Sequence, residues 1–504
     1  MSAQSEPTAR PGPEPPRSTP GTQPRESTHG QRENPANGPS YPAPEKLSRI
    51  LLLGLSLGYF MVLLDLTVVT VALPAVSRSL DVGLAGLQWV SNGYTVSFAA
   101  MLLTAGWLSD RFGGRRVFLC GLASFGVLSG ISATATDLAT LVALRVALGL
   151  AGALLLPASL ALLTRAHDDP ATRARAVGSW AAITGAALAA GPVIGGVLTE
   201  TFGWRAVFLV NVPLALASLV ITVRLAPRTA PAPRGSLDLP GQASGVLALA
   251  GLIYVLVEGP QRGWVDGEVI GAFGCAVLAA VLFGSVEARA AGAAMLPLHL
   301  FRSRGFCAAL SAGLLATFTL SGLLFVLSLY FQDARGYSAL GSGLAFLPLT
   351  VPTAVNPMFT GRLVARMGPR RPATLGFVQM AVGVALLAPS TGGSVAAVTT
   401  TAAGLLVLGV GISFALPALV AAVVGSVPTE LTGTGMGALN SARQVGGALG
   451  VAILGILLRQ GATTAAGTRL ALVASGGILL VGAIVCATSL PGRARRPAPA
   501  TAGD

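Results

Sequence analysis

Residues 106–116 read GWLSDRFGGRR and residues 361–371 read GRLVARMGPRR. The two stretches share Gly106 and Gly361, Leu108 and Leu363, Arg111 and Arg366, Gly113 and Gly368, Arg115 and Arg370, and Arg116 and Arg371 at matching places. Each copy closes one long apolar run and opens another. Such runs last about 20 residues or more, enough for a helix to cross the hydrocarbon layer of a bilayer. Transmembrane strands would need segments of about 10 residues with alternating polarity, and that pattern is absent. The chain therefore reads as an all-α polytopic membrane protein with an internal repeat, and repeated bundles with a site at their interface are a common transporter design.

Composition agrees. Of 504 residues, 53% are hydrophobic and 11% charged, against roughly 25% charged in soluble domains. The net charge of +13 does not indicate nucleic acid, because the basic residues sit in short loops rather than on one amphipathic face with aromatics. Cys120, Cys275, Cys307 and Cys486 lie in apolar segments without ligand spacing and read as small core residues, with no disulfide or metal role.

Working outward from the repeat, fourteen spans are expected: 50–76, 84–108, 117–135, 138–163, 174–198, 204–225, 239–257, 268–286, 305–331, 338–363, 373–389, 395–424, 433–458 and 468–490. Residues 1–47, rich in Pro, Ser, Gly, Gln and charge, are expected to form a disordered cytoplasmic tail without a signal-peptide core. Residues 48–225 then form a six-helix bundle, 226–290 a Pro- and Arg-rich linker with two inserted helices, 291–492 a second six-helix bundle, and 493–504 a cytoplasmic tail. With the amino terminus inside, the inner loops carry sixteen arginines: Arg111, Arg115, Arg116, Arg165, Arg173, Arg175, Arg224, Arg228, Arg234, Arg289, Arg302, Arg304, Arg362, Arg366, Arg370 and Arg371. The outer loops carry six, namely Arg78, Arg205, Arg262, Arg335, Arg459 and Arg469. That asymmetry places both termini in the cytoplasm of a multi-pass cell-membrane protein.

Several polar residues interrupt the spans. At 1.5 Å per residue, Asp65 stands roughly 22 Å along the first span from residue 50, well inside the hydrocarbon layer. A carboxylate there is costly and its pKa should rise, so it can exchange a proton; the alternative is a permanent interhelical hydrogen bond or ion pair. Arg145, in the fourth span, stays charged at any working pH. It either tunes a nearby carboxylate or forms a fixed pair with a backbone carbonyl or Asp65. Gly191 and Gly195 share a helix face and permit close packing, and Pro192 bends or loosens the fifth span. Asn440, Arg443 and Gln444 put polarity deep in a Gly-rich span, where Arg443 either lines a central cavity or bridges packed helices. In the repeat, the glycines allow a tight turn, and Asp110 can cap a helix start and pair with a neighbouring Arg.

The loop Gly106, Leu108, Asp110, Arg111, Gly113, Arg115 and Arg116 is similar to the helix 2–3 signature of the major facilitator superfamily. Leu64, Asp65, Thr67, Val68, Val69, Ala72, Leu73 and Pro74 resemble the first-helix motif of its fourteen-helix drug/proton antiporter branch, with Thr70 in place of the usual Asn. Leu141, Leu144, Arg145, Gly149, Gly152 and Ala153 resemble the motif implicated in proton transfer, with Leu148 replacing Gln. Gly185, Gly191, Pro192, Gly195 and Gly196 match the motif associated with antiporters. Trp204, Arg205, Phe208, Asn211 and Pro213, then Glu258, Gly259, Pro260, Gly263 and Trp264, and a junction from Tyr330 to Gly343 add support, mostly as anchors and turns. The resemblance covers nearly all of residues 51–490. It implies two six-helix bundles plus two inserted helices, proton coupling through Asp65 and Arg145, and a conformational latch at Asp110 and Arg111. The implied protein is a transporter, not an enzyme, that exports small hydrophobic drugs, antibiotics or secondary metabolites. It would work as a monomer among membrane lipid, drawing on protons rather than a cofactor. The competing readings are a proton-coupled importer and a non-transporting membrane sensor or scaffold.

Overall fold

The computed structural model describes residues 45–167, 169–227, 238–289, 298–387, 395–428 and 431–492. The expected terminal tails, up to residue 44 and from 493, lie outside these residues, as does most of the linker. The described chain is helical, with no strand. In order come α1 (Glu45–Leu80), α2 (Leu84–Phe112), α3 (Gly114–Ser132), α4 (Leu138–Arg165), α5 (Pro170–Phe202), the single turn α6 (Ala206–Leu209), α7 (Asn211–Leu225), α8 (Leu239–Arg262) and α9 (Gly267–Arg289). There follow α10 (Arg304–Leu329), ending in a π-helical turn at Tyr330–Ala334, α11 (Ala339–Ala345), α12 (Leu347–Val355), α13 (Pro357–Met367), α14 (Arg370–Leu387), α15 (Val395–Val424), α16 (Thr432–Gln460) and α17 (Thr464–Ser489).

Eleven helices among the described residues are long and apolar enough to cross a membrane, against the fourteen spans expected. The other three expected spans are helical but differ in kind. Gln88, Ser91, Asn92 and Ser97 dilute the apolar run of α2. The span expected at 338–363 is broken into α11, α12 and α13: Pro348 and Pro357, which lack a backbone donor, stand at the starts of α12 and α13, while Pro352 lies inside α12. The third, α14, is 18 residues long.

Helix starts follow local chemistry. Asp137 accepts from Thr140 N at 2.9 Å and Thr140 Oγ1 at 2.7 Å, and Asp169 accepts from Thr172 N and Oγ1, both at 2.8 Å. These bonds to the ionised form hold both carboxyls below the usual aspartate range. Ser303, Ser338 and Thr463 cap α10, α11 and α17 in the same way.

Apolar side chains also cover the outside. On α9, Phe273, Val277, Leu278 and Val281 are 47–70% exposed, and on α17 Val473, Leu480 and Ile484 are 54–71% exposed. In water such faces would be unstable; lipid tails suit them. The cysteines need correction here: Cys486 is buried, but Cys120 and Cys275 are exposed and Cys307 is partly so. In lipid, an outward thiol needs no core.

The bundles meet at one end of the helices, where α1 finishes and α2 begins. Gln88 Nε2 on α2 donates to Val451 O at 3.0 Å and Ala452 O at 2.9 Å on α16. Ser328 Oγ and Gln332 Nε2 each donate at 2.9 Å to Thr70 O and Val71 O on α1. Leu340 N, at the start of α11, donates to Glu200 Oε2 at the end of α5 at 2.8 Å. Helix α8 packs Ile253 and Val257 against Ala85 of α2 and Ala448 and Ala452 of α16, so it lies along the same seam.

Candidate functional site

The glycines of α5 explain how this end closes. A Cβ at Gly191 would collide with the Thr67 side chain, and one at Gly195 would stand 2.6 Å from Val68 O, so both positions seat α5 directly on α1. A Cβ at Gly196 would stand 2.6 Å from Ala339 O, so this glycine faces α11 instead. Gly343 answers from α11, packing on the carbonyl of Pro192. A Cβ at Gly185 would meet nothing. Pro192 lies inside one continuous α5, which it does not break.

At the repeat, Gly113 makes the turn between α2 and α3 with φ of 89°, a conformation that favours glycine. Close approach falls to its neighbour Gly114, whose Cβ would stand 3.4 Å from Ala158 O. Gly106, expected to serve approach, faces open space in α2. Asp110 lies in the last turn of α2, three residues before Gly113, the N-cap residue of α3. Arg115 Nη2 donates to Val223 O of α7 at 2.7 Å. Arg111 and Arg116 are exposed.

Asp65 and Arg145 come together. They form an ion pair with side chains 0% and 2% exposed. Arg145 Nε donates to Val90 O at 3.0 Å, and its guanidinium lies 4.4 Å from the centre of the Tyr94 ring. Tyr94 Oη in turn donates to Val62 O at 3.2 Å. Asn211 Nδ2 donates to the other carboxylate oxygen of Asp65 at 3.1 Å and lies 3.2 Å from Ser129 Oγ. Gly149 and Gly152 let α4 press against α2 at Tyr94, which brings Arg145 within reach of α1. Both charges are thus matched and hydrogen-bonded, the condition for a buried pair to be tolerated. Tyr94, Ser129 and Asn211 were missed as site residues in the sequence reading, which gave Asn211 only a helix-entry role. The available signal was an amide among the apolar residues of its span.

A second group draws on α1, α5 and α16. Tyr59 and Trp180 stack with ring centroids 5.3 Å apart and planes within 10°. Arg443 is within electrostatic reach of Tyr59. Its Nη1 donates to Asn440 Oδ1 at 3.3 Å, and its backbone carbonyl accepts from Thr317 Oγ1 at 2.6 Å. Gln444 follows Arg443 on α16 and is partly buried. An apolar recess of about 460 Å³ between α12 and α15 includes none of these polar groups; its lining residues Val351 and Leu406 are about half exposed.

Comparison with known proteins fits this architecture. Residues 55–451 match the family model described as Major Facilitator Superfamily. The chain is 38% identical over 416 residues to the tetracenomycin C resistance and export protein of Streptomyces glaucescens, covering 81% of this chain and 75% of that one. It is 36% identical over 437 residues to the methylenomycin A resistance protein of Bacillus subtilis (strain 168), covering 86% and 93%. Among solved structures, a bacterial homologue of the human lysosomal transporter Spinster, inward-facing and unoccupied, superposes with a TM-score of 0.64 at 17% identity, covering 88% of this chain and 97% of that one. A helical membrane protein whose bundles close on each other through glycine contacts, and whose matched residues run through both, belongs to the Major Facilitator Superfamily of transporters.

Proposed function

We propose that this protein is a proton-coupled antiporter of the cell membrane that exports small hydrophobic drugs, antibiotics or secondary metabolites and confers resistance to them. Its relatives named for resistance and export support the direction of transport. The observation that carries the coupling is the buried Asp65–Arg145 pair, completed by Asn211. A proton on Asp65 removes the charge that holds Arg145 and converts an acceptor of two hydrogen bonds into a weaker one. That change alters the packing of α1 against α2, α4 and α7, and α1 also carries Thr70 and Val71 of the closed seam. Protonation of one side chain is thereby connected to the contacts that must open for alternating access.

In this reading residues 48–225 and 291–492 rock as two six-helix bundles, the pair within 226–290 rides the seam, and the repeat at Asp110 and Arg111 latches the Arg-rich end. That end and both termini are cytoplasmic. The monomer is the working unit, and the proton gradient replaces any cofactor. The gradient supplies about 2.3 kcal/mol per charge per 100 mV and about 1.4 kcal/mol per pH unit, enough for uphill export.

The test is drug accumulation in everted vesicles. With an imposed proton gradient, vesicles bearing the protein accumulate drug and dissipate the gradient faster than control vesicles; a symporter instead moves drug and protons together. Equal drug movement with proton and voltage gradients collapsed contradicts the proposal.

A further inference from the structure

The seam between α2 and α16 can be followed turn by turn. A Cβ at Gly455 would meet the Gln88 side chain, and a Cβ at Gly447 would stand 3.9 Å from Thr95 Cγ2 and 3.0 Å from Ser321 Oγ. One turn further along α16, at the i−4 position, is Arg443. Its stem lies on Gly313 of α10, where a Cβ would stand 3.3 Å from Arg443 Cγ. Beyond Asn440, Arg443 makes no ion pair among the described residues, and its Nε is buried without an acceptor. Tyr59, which stacks on Trp180, is within electrostatic reach of Arg443, and Trp180 Nε1 is likewise buried without an acceptor. At the inner limit of the closed seam there are therefore an aromatic wall, an unmatched cation and two unused donors. Asp65 cannot supply the missing charge, because Arg145 already holds it.

An uncompensated guanidinium in a membrane interior is costly and normally faces a water-filled path or a ligand. Donors left over on both partners ask for acceptors, and a flat apolar wall asks for a ring. We infer that Arg443, Trp180 and Tyr59 form a subsite for an aromatic compound bearing an acidic group, a carboxylate or an ionised phenol, with the anion on Arg443 and Trp180 Nε1 and the ring against the stack. The inference rests on the transport reading for its purpose but narrows the cargo from hydrophobic compounds in general to aromatic acids. Outward movement of an anion would also be driven by an interior-negative potential.

Equilibrium dialysis of the purified full-length protein in detergent, against protein-free micelles to correct for partition, tests the subsite without any proton gradient. The probes are 2-naphthoate, its methyl ester and 2-naphthylmethylamine. The acid binds about tenfold tighter than the ester, as expected for a charge-assisted hydrogen bond in a shielded site, and the amine binds weakest. Arg443→Gln brings the acid down to the level of the ester, Arg443→Lys keeps part of the preference, and Trp180→Leu weakens acid and ester together. Thermal unfolding of each variant identifies any that fail to fold, and Arg443→Lys then serves in place of Arg443→Gln. Equal binding of acid and ester, tighter binding of the amine, no binding of the acid, or an acid preference that survives loss of the positive charge at position 443 overturns the subsite. Failure of proton coupling in vesicles overturns the antiport reading and leaves this binding order standing.

Discussion

Two arginines lie deep among the helices, and their surroundings differ in a way that separates two tasks. Arg145 is enclosed by Asp65, Val90 O and the Tyr94 ring, all on helices of the amino-terminal half. Arg443 lies on α16 of the other half, opposite Tyr59, with one neutral side-chain partner. A matched charge can respond to a proton arriving on its partner. An unmatched one can respond only to something that comes from outside. The proposed reading gives energy coupling to the first and recognition to the second, and it can be tested by changing the charge balance at each.

The largest effect is expected where a match is broken. Arg145→Ala leaves Asp65 buried without a counter-charge and should destabilise the protein by about 3–5 kcal/mol, abolishing resistance with reduced abundance. Asp65→Asn strands Arg145, though Val90 O and Tyr94 still hold it, and should abolish drug-driven proton flux with a smaller fall in abundance. The double variant Asp65→Asn/Arg145→Gln is neutral and should recover abundance in membranes without recovering transport. If it recovers transport, the pair is structural only. At the unmatched site the sign reverses: Arg443→Gln removes an uncompensated charge and should raise the thermal midpoint of the purified protein while altering the range of exported compounds. A lowered midpoint would mean that Arg443 bridges helices.

The seam gives the next, smaller effect. Gly343→Val drives a side chain into Pro192 O and should lengthen the distance between spin labels placed at residues 197 and 344. Gly185→Ala, where a Cβ meets nothing, should leave that distance unchanged and stabilise the helix by about 0.5–1 kcal/mol. Smallest of all is the effect of an acid outside the membrane. The Asp137 carboxyl is held low by its bonds from Thr140, so its contribution to stability is full above the ordinary aspartate pKa of about 3.9 and fades as pH falls through the lowered value. Asp137→Asn should remove that acid-side dependence from the melting profile and leave transport as it was.

Much of the architecture was legible in the sequence because membrane helices are local: an apolar run, a cap such as Asp137 or Asp169, and a loop arginine each act within a few residues. The repeat at Gly113 likewise announced its turn. Asp65 and Arg145 stood out individually, as charges amid apolar residues, but their pairing depends on Gly149 and Gly152 drawing α4 onto α2. The partners Tyr94, Ser129 and Asn211 are ordinary polar residues until three-dimensional packing aims them. Tyr59 and Trp180, 121 positions apart in the chain, gave no sign of stacking. The departures were local in cause too: prolines at the starts of α12 and α13 divide the tenth expected span, and a Cβ at Gly106 or Gly185 would meet nothing.

The account is tested most directly by proton exchange at Asp65. Wild-type and Asp65→Asn proteins, matched for amount in everted vesicles carrying an imposed pH gradient, should be given a compound that the wild type exports, and the vesicle interior followed with a pH-sensitive dye. Addition of the compound should speed collapse of the gradient in wild-type vesicles and change nothing in those with Asn at position 65. Equal acceleration in both would contradict the assignment of the coupling proton to this carboxylate.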